Sequence, residues 1–544
     1  MREEFPLGRW GAGLHGLDPR TRDFARAHLG DPQPSPAPQQ RELRPSRLTI
    51  EQCSRLFAGV KASVDDRTRA GHARGMSYAD LLTWRSRSGA IAAPDAVVFP
   101  ADHEQALAVV RTCSQEGLAV VPFGGGTSVT GGVNTPEESR FAAVVAVSTA
   151  RLDRCSADRA VDVDAISGIA HVGAGITGPA LEGHLSGTEW TLGHLPQSWQ
   201  RASVGGFIAA RSSGQASSGY GRIDDMLISA RLATPVGTWE VGGFPASSTG
   251  PDLRHLVLGS EGTLGVITSA RLRLRRRPRI RQFAAALIPG GFDQAAACVR
   301  VLARSPMRPA VLRASDAQET AALLTMSMPG GLLGSMVRFY LRRGLPGSLV
   351  ICGWEGDSES LVAAARTQAR EALTGAVWLG ARPGRSWERG RFEGPFLRDA
   401  LLDEGYLVET FETVTTWAQI EHLHTQVSAV ARSELGENSY VMAHISHTYD
   451  VGASLYFTVL AGGWADPDDA ARRWHSAKTA ILDAIVACGG AISHHHGIGR
   501  DHRAWLPNQI GDVGVRVLES VRSSVDPHRV MNPGALLADE STQS

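Results

Sequence analysis

Pro122-Phe123-Gly124-Gly125-Gly126-Thr127-Ser128-Val129 decides how the rest of the chain is read. The apolar run from Leu118 to Pro122 before it reads as a strand. Successive glycines then let several backbone N–H groups point into one concavity, a nest that binds phosphate oxygens, and Thr127 and Ser128 add hydroxyl donors. The segment fits neither common nucleotide loop. No G-x-x-x-x-G-K-[ST] follows, and no G-x-G-x-x-G sits at a strand-to-helix turn with an acidic residue on cue. A glycine-rich surface turn is the plain alternative; Gly131 and Gly132 weaken it, because one turn needs fewer glycines.

Two later segments have the same character. Ser203-Val-Gly-Gly-Phe-Ile-Ala-Ala-Arg-Ser-Ser-Gly214 puts small residues where a helix N-terminus can approach an anion. Leu258-Gly-Ser-Glu-Gly-Thr-Leu-Gly-Val-Ile267 sets three glycines beside a Val-Ile strand, as close approach to a flat ring requires. A ligand touched at three such places is long, and a dinucleotide suits better than a lone phosphate. Far downstream, Ser493-His494-His495-His496-Gly497-Ile498-Gly499-Arg500 places three imidazoles between turn residues. A surface loop is the competing reading.

Composition narrows the class. The chain has 544 residues, more than one ordinary core, so two to four domains are expected. Its 55 basic and 55 acidic side chains balance, which argues against a nucleic-acid partner. The six cysteines form no C-x-x-C pair, so zinc and dithiol readings lose support and no metal is expected. The N-terminus has no apolar signal region and no run of about 20 apolar residues exists, so a cytoplasmic location is expected.

Four regions are expected. Residues 1–90 are a helical and linker region whose Asp31-Pro-Gln-Pro-Ser-Pro-Ala-Pro stretch cannot hold a helix. Residues 91–275 alternate strands and helices: a strand at 96–100, a helix capped by Asp102, further strands at 118–122 and 144–148, and a hairpin from 161 to 173. Residues 276–430 form a second α+β unit, and 431–544 end the chain with strands, a long helix from 468 to 487 and the histidine run.

Pro-Phe-Gly-Gly-Gly-Thr-Ser-Val, Gly-Ser-Glu-Gly-Thr-Leu-Gly-Val-Ile and His-His-His-Gly-Ile-Gly, in this order, resemble the alkylglycerone-phosphate synthase branch of the vanillyl-alcohol-oxidase-type flavoproteins. The resemblance runs from about residue 90 to residue 538. It implies an α+β fold: a two-subdomain FAD-binding domain, an α+β cap domain, and a C-terminal segment that returns to the flavin. The implied cofactor is non-covalent FAD. It would be held by Pro122, Gly124, Gly125, Gly126, Thr127 and Ser128; by His194, Gln197 and Ser198; by Ser203, Gly206 and Ser213; and by Glu261, Gly262, Thr263, Leu264, Gly265 and Ile267. A structural turn histidine after Gly193 is the lesser alternative for His194.

The implied reaction exchanges the acyl chain of acyl-dihydroxyacetone phosphate for a long-chain alcohol through a flavin N5 adduct, with no net redox change. Tyr456, in Gly-Ala-Ser-Leu-Tyr-Phe, matches the branch's catalytic tyrosine, although by pattern alone it reads as a core aromatic. Arg313 matches an arginine near the flavin, and a solvated strand-edge arginine is the alternative. His494, His495 and His496 complete the implied catalytic set. Where the branch carries a headgroup-anchoring arginine this chain has His444, which leaves His447 and Arg500 as further substrate-binding candidates. The pair His444 and His447 lacks a carboxylate partner for a metal.

Leu332-Leu-Gly-Ser-Met-Val-Arg-Phe-Tyr-Leu-Arg-Arg343 has helical apolar spacing with arginines alongside, the pattern of a membrane-surface helix or of an ordinary cap helix. Expected partners are thus long-chain lipid substrates, with a peripheral membrane surface and a second copy in a homodimer as further candidates. Two other functions stay open: an FAD-linked oxidoreductase acting on a 2-hydroxy acid or another alcohol, and a flavin-binding protein without catalysis. The absence of His-x-Gly-Asp-Gly-Asn-x-His counts against the oxidoreductase.

Overall fold

The computed structural model describes residues 6–11, 16–327 and 347–538. The amphipathic segment 332–343 lies outside them.

The chain builds three main sheets. The first contains β1 (Lys61–Ser63), β2 (Ala96–Phe99), β3 (Ala119–Phe123) and β4 (Val144–Ser148) in the order β1-β2-β4-β3. β2, β4 and β3 are parallel neighbours. Their near-continuous Ala/Val runs suit strands covered on both faces. Helix His103–Gln115 lies beside them, its first turn capped where the Asp102 carboxylate accepts the Gln105 N–H at 2.8 Å. β1 comes from the N-terminal region yet adds to this sheet as an antiparallel edge strand.

The second sheet contains β5 (Val161–Asp164) and β6 (Ile169–Gly173), which pair antiparallel. β7 (Trp190–Thr191) stands apart, and β8 (Leu227–Thr234), β9 (Gly237–Gly242) and β10 (Val266–Arg273) complete the order β5-β6-β10-β8-β9. β11 (Arg275–Arg276) pairs with β7.

The third sheet holds β12 (Ile280–Pro289), β13 (Val311–Ser315), β14 (Gly347–Gly356), β15 (Val377–Gly380), β16 (Leu407–Thr416), β17 (Ser439–Thr448) and β18 (Gly452–Ala461) in the order β15-β12-β14-β13-β17-β18-β16. Strands from both sides of residue 430 thus share one sheet. Its side chains alternate. Leu312, Val350, Ala443, Ile445, Leu455 and Phe457 pack into the core shared with helices Phe292–Ala303, Ile420–Leu435 and Pro467–Ala487. Arg313, Ile351, Met442, His444, Tyr456 and Thr458 point the other way, into a cavity.

The two ends of the chain close the molecule. Val120 of β3 donates its N–H to the Val530 carbonyl at 2.8 Å and accepts the Asn532 N–H at 2.7 Å, so the C-terminal segment lies along the first sheet. The proline-rich stretch is extended, and it is docked: Gln33 and Ser35 donate backbone N–H groups to the carbonyls of Glu404 and Asp403, both at 3.1 Å. The few amides that proline leaves available find acceptors on the third-sheet unit. The six cysteines are free thiols. Among the described residues no helix is long and apolar enough to cross a membrane.

Candidate active site

A cavity of about 1440 Å³ runs between the first two sheets and the third. One wall is a backbone cradle. Gly124 to Ser128 leave the end of β3 and pass against the stretch that ends in Ser203. A Cβ on Gly125 would stand 2.3 Å from the Arg201 carbonyl oxygen, so only glycine lets the two backbones meet. Ser203 caps helix Val204–Ala209 by accepting the Gly206 N–H at 3.3 Å. Gly262 packs on Pro122, joining the third glycine segment to the first. Gln197 and Gln215 line the wall with a side-chain nitrogen and oxygen, respectively, that lack partners. A groove of backbone amides, hydroxyls and two side-chain amide atoms without partners fits the FAD implied by the resemblance. Gly124 to Ser128, Gln197, Ser198, Ser203 and Gly206 would hold it.

The opposite wall carries the imidazoles. Tyr456 on β18 is the direct cross-strand partner of His444 on β17 and of Glu412 on β16, so the three point to one side. The Tyr456 ring stacks at 5.1 Å on His444 and at 6.0 Å on His495, and meets His496 edge-on at 5.6 Å. Burial pushes the Tyr456 phenol up to about 12, so it keeps its proton at neutral pH.

Glu412 organises the histidine run. Its carboxylate accepts the N–H groups of His494 at 2.7 Å, His495 at 3.1 Å and His496 at 2.9 Å, and the Ser493 hydroxyl at 2.7 Å. Burial alone would raise this carboxyl, but the surrounding imidazoles and its donors hold it well below the usual range. It is therefore a buried anion beneath three imidazoles. Burial drives His494 well below its ordinary value and His496 down to about 3, so both are neutral.

Arg313 donates to Glu319 at 2.7 Å, and Glu319 also meets His444 Nδ1 at 3.0 Å. Burial opposes ionisation of Glu319, but Arg313 and His444 outweigh it and bring the carboxyl down to about 2. The Arg313 charge is thus already matched. His444 is lowered by burial and by Arg313 and is no cation.

Most of the expected residues meet at this one cavity, but some stand off its wall. His194 lies one layer behind it, bonded through Nε2 to Ser212 Oγ at 2.7 Å, and burial takes its pKa down to about 3. Thr263 and Leu264 are buried; Thr263 closes its own turn onto the Ser260 carbonyl at 2.7 Å. His494 sits beneath the wall, its Nε2 on the Tyr449 hydroxyl. Arg500 is a structural clamp instead of a substrate ligand. It donates to the carbonyls of Gly131 at 2.7 Å and Pro533 at 2.9 Å and to Asn532 Oδ1 at 3.0 Å, because the C-terminal segment passes there.

Two groups on this surface escape a reading of the sequence. Glu412 lies 82 residues before the histidine whose amide it binds; the only signal is a pair of acids, Glu409 and Glu412, in a strand that is otherwise apolar or Thr. Arg382, Arg385 and Arg389, on helix Ala381–Gly390, line the cavity with no carboxylate partner among the described residues.

Comparison with known proteins agrees with this geometry. Residues 94–242 match the model of an FAD binding domain, and residues 277–536 match that of the C-terminal domain of FAD linked oxidases. The alkyldihydroxyacetonephosphate synthase of Trypanosoma brucei brucei is 31% identical over 507 residues, covering 90% of this chain and 80% of that protein. The Dictyostelium discoideum enzyme of the same name is 32% identical over 503 residues, with the same coverage. A solved alkyldihydroxyacetonephosphate synthase structure superposes with a TM-score of 0.80 at 27% identity, covering 98% of this chain and 99% of that one.

Proposed function

The chain belongs to the alkyldihydroxyacetonephosphate synthase family, and from that premise we propose that it is an FAD-dependent enzyme that exchanges the acyl chain of acyl-dihydroxyacetone phosphate for a long-chain alcohol. The chief support is that one cavity joins the cradle and the imidazole wall to an apolar sleeve. The sleeve is formed by Phe24, Leu323, Leu401, Val408, Met442 and Leu460. A small hydroxy acid needs no such sleeve; an alkyl chain does. Helix Pro19–Leu29 supplies Phe24, which gives the N-terminal region a place in the site.

FAD, when bound, supplies the electron-accepting and electron-donating centre that substitution at an unactivated C–O bond requires. The chain's own groups handle protons and position. Neutral imidazoles of His496 and His447 offer ring nitrogens to a substrate proton. His495 Nδ1 stands 3.4 Å from the Glu412 carboxylate, so a proton accepted there meets a fixed negative charge. Tyr456 Oη holds its proton and can donate it to a departing oxygen.

The headgroup anchor differs from the resemblance. His444 is neutral and Arg313 is paired, so neither supplies the charge a phosphate needs. We assign that role to Arg382, Arg385 and Arg389. They are exposed and spaced so that Arg382–Arg385 and Arg385–Arg389 are helical neighbours, an arrangement of like charges that an anion relieves. Loading two long chains in turn places the enzyme at a membrane surface, and self-association as a homodimer belongs to the same proposal.

Incubation with acyl-dihydroxyacetone phosphate and labelled hexadecanol should yield labelled ether lipid without oxygen uptake. Flavin reduction by a 2-hydroxy acid, with no ether lipid formed, would overturn the assignment in favour of an FAD-linked oxidoreductase.

A further inference from the structure

A second pocket, of about 250 Å³, lies behind the histidines and apart from the main cavity. It sits where two units meet. Residues 217–222, Arg273 and Arg275 belong to the second-sheet unit, and Arg308, Thr448 and Tyr449 to the third. Its wall carries four arginines and one carboxylate. Two of the arginines are already matched: Arg222 pairs with Asp224 at 3.3 Å and Arg308 with Asp450 at 3.2 Å. The carboxylate, on Asp225, accepts the Arg222 N–H at 2.8 Å. Arg273 and Arg275 have no ion-pair partner among the described residues. They donate to carbonyls, of Asp225 at 3.0 Å and of Tyr220 at 2.7 Å respectively. A guanidinium has five N–H groups, so most of each fork is left over.

We propose that this pocket binds a phosphate-class dianion, free or as a small phosphomonoester, between Arg273 and Arg275. The two residues stand two apart where β10 passes into β11, so they face one side, and like charges set together are unfavourable until an anion joins them. Burial first, then the charge of Arg273 and less strongly that of Arg308, holds the Arg275 guanidinium below its ordinary value. Arg275 is also fixed in place, 5.0 Å from the centre of the Tyr220 ring. A neutral donor lies beside them. Ser218 is buried, and its oxygen accepts from Thr448 Oγ1 at 3.1 Å, which leaves its own proton for the pocket. Two forks and a hydroxyl suit the three oxygens of a phosphate group better than the two of a carboxylate. The volume exceeds a bare phosphate and leaves space for a short polar carrier.

The frame of this pocket holds the catalytic wall from behind. Ser217 Oγ meets His447 Nδ1 at 2.6 Å, and the Tyr449 hydroxyl meets His494 Nε2. Arg222 donates to the His494 carbonyl at 3.2 Å. An anion that joins Arg273 and Arg275 to the hydroxyls of Ser218 and Thr448 ties the second-sheet unit to the β17–β18 hairpin. It thereby stiffens the groups that orient His447 and His494. Occupancy of this pocket is coupled to the imidazole wall without any contact with the substrate.

This inference goes beyond the ether-lipid assignment, and its test needs no exchange assay, so the two fail separately. Flavin-loaded Arg385→Ala/Arg389→Ala protein, which lacks the headgroup anchor of the main cavity, is titrated calorimetrically with inorganic phosphate and, in a second arm, with glycerol phosphate. The expected result is one site per chain, at least about tenfold weaker once Arg273→Glu is added. Hydrogen exchange should slow at residues 217–225 and 448–450 when either ligand binds. Tighter binding of glycerol phosphate supports a phosphomonoester as occupant, and tighter binding of inorganic phosphate supports the free ion. No binding to the double variant, equal affinity after Arg273→Glu, or unchanged exchange at those residues overturns the proposal. Arg273 is exposed, and circular dichroism checks the fold. If that variant does not fold, Arg308→Gln decides: weaker binding supports the site and equal affinity refutes it.

Discussion

The carboxylate of Glu261 accepts the backbone N–H of Ile498 at 2.6 Å, fastening the third glycine segment to the histidine run. Its second oxygen takes the Gly499 N–H at 2.8 Å. Burial outweighs these donors and raises the carboxyl from 4.5 to about 7. Between those values the folded chain holds a proton that the unfolded chain has released. Stability from this group is therefore present at low pH and lost as pH rises through about 7. Relative to Glu261→Gln, the wild type should lose roughly 3 kcal/mol between about pH 5 and pH 8. Urea unfolding at several pH values checks this; parallel curves for the two proteins would contradict it.

Removing the Glu412 charge should be severe. Glu412→Gln replaces one acceptor oxygen with a donor, leaving part of a four-donor nest facing N–H. Loss of charge-assisted bonds in a buried site costs about 2–4 kcal/mol. The His494–His496 backbone should loosen with it. We expect a lower urea midpoint and turnover reduced at least about tenfold, because imidazole placement and charge compensation fail together.

That nest also marks the limit of what the sequence discloses. The glycine segments, the individual strands and the hairpin are legible because each is a local pattern: Val161-Asp-Val-Asp164 alternates, and Asp102 precedes a helical period. Glu412 and the Arg382–Arg389 face were not, since their meaning lies in what strand pairing and helix docking bring opposite them. Arg500 misleads for the same reason. Beside a histidine run it reads as a ligand, and only the return of Asn532 and Pro533 shows where its donors go. The substitution of His444 was visible, but its pairing with Glu319 was not.

Tyr456→Phe should keep flavin and fold, because the ring still stacks between His444 and His495. What disappears is a proton on Oη. Loss of a positioned acid reduces turnover by about 10²–10⁴-fold. The exchange assay reads this against an unchanged flavin spectrum; near-normal turnover would remove Tyr456 from the proton path.

Arg385→Ala combined with Arg389→Ala should separate binding from chemistry. If these side chains hold the phosphate equally in ground and transition states, KM for acyl-dihydroxyacetone phosphate rises at least about tenfold while kcat changes little. The wild-type KM should also climb with salt, and the double variant should lose that dependence. An unaltered KM would place the headgroup elsewhere.

Gly125→Ala tests the cradle itself. The added Cβ would lie 2.3 Å from the Arg201 carbonyl oxygen and 2.8 Å from Ala202 Cα. Both are backbone atoms just before the Ser203 cap, so no side-chain rotation relieves the clash and the two loops must part. Gly183→Ala is the matched control: it sits in helix Gly178–Leu185 with nothing within 4 Å, where alanine stabilises by about 0.5–1 kcal/mol. In flavin-fluorescence titrations of the apoprotein, Gly125→Ala should bind FAD at least about tenfold more weakly, a loss of about 1.4 kcal/mol, while Gly183→Ala binds normally. Equal affinity in the two would mean that FAD does not rest on the contact between residues 125 and 201.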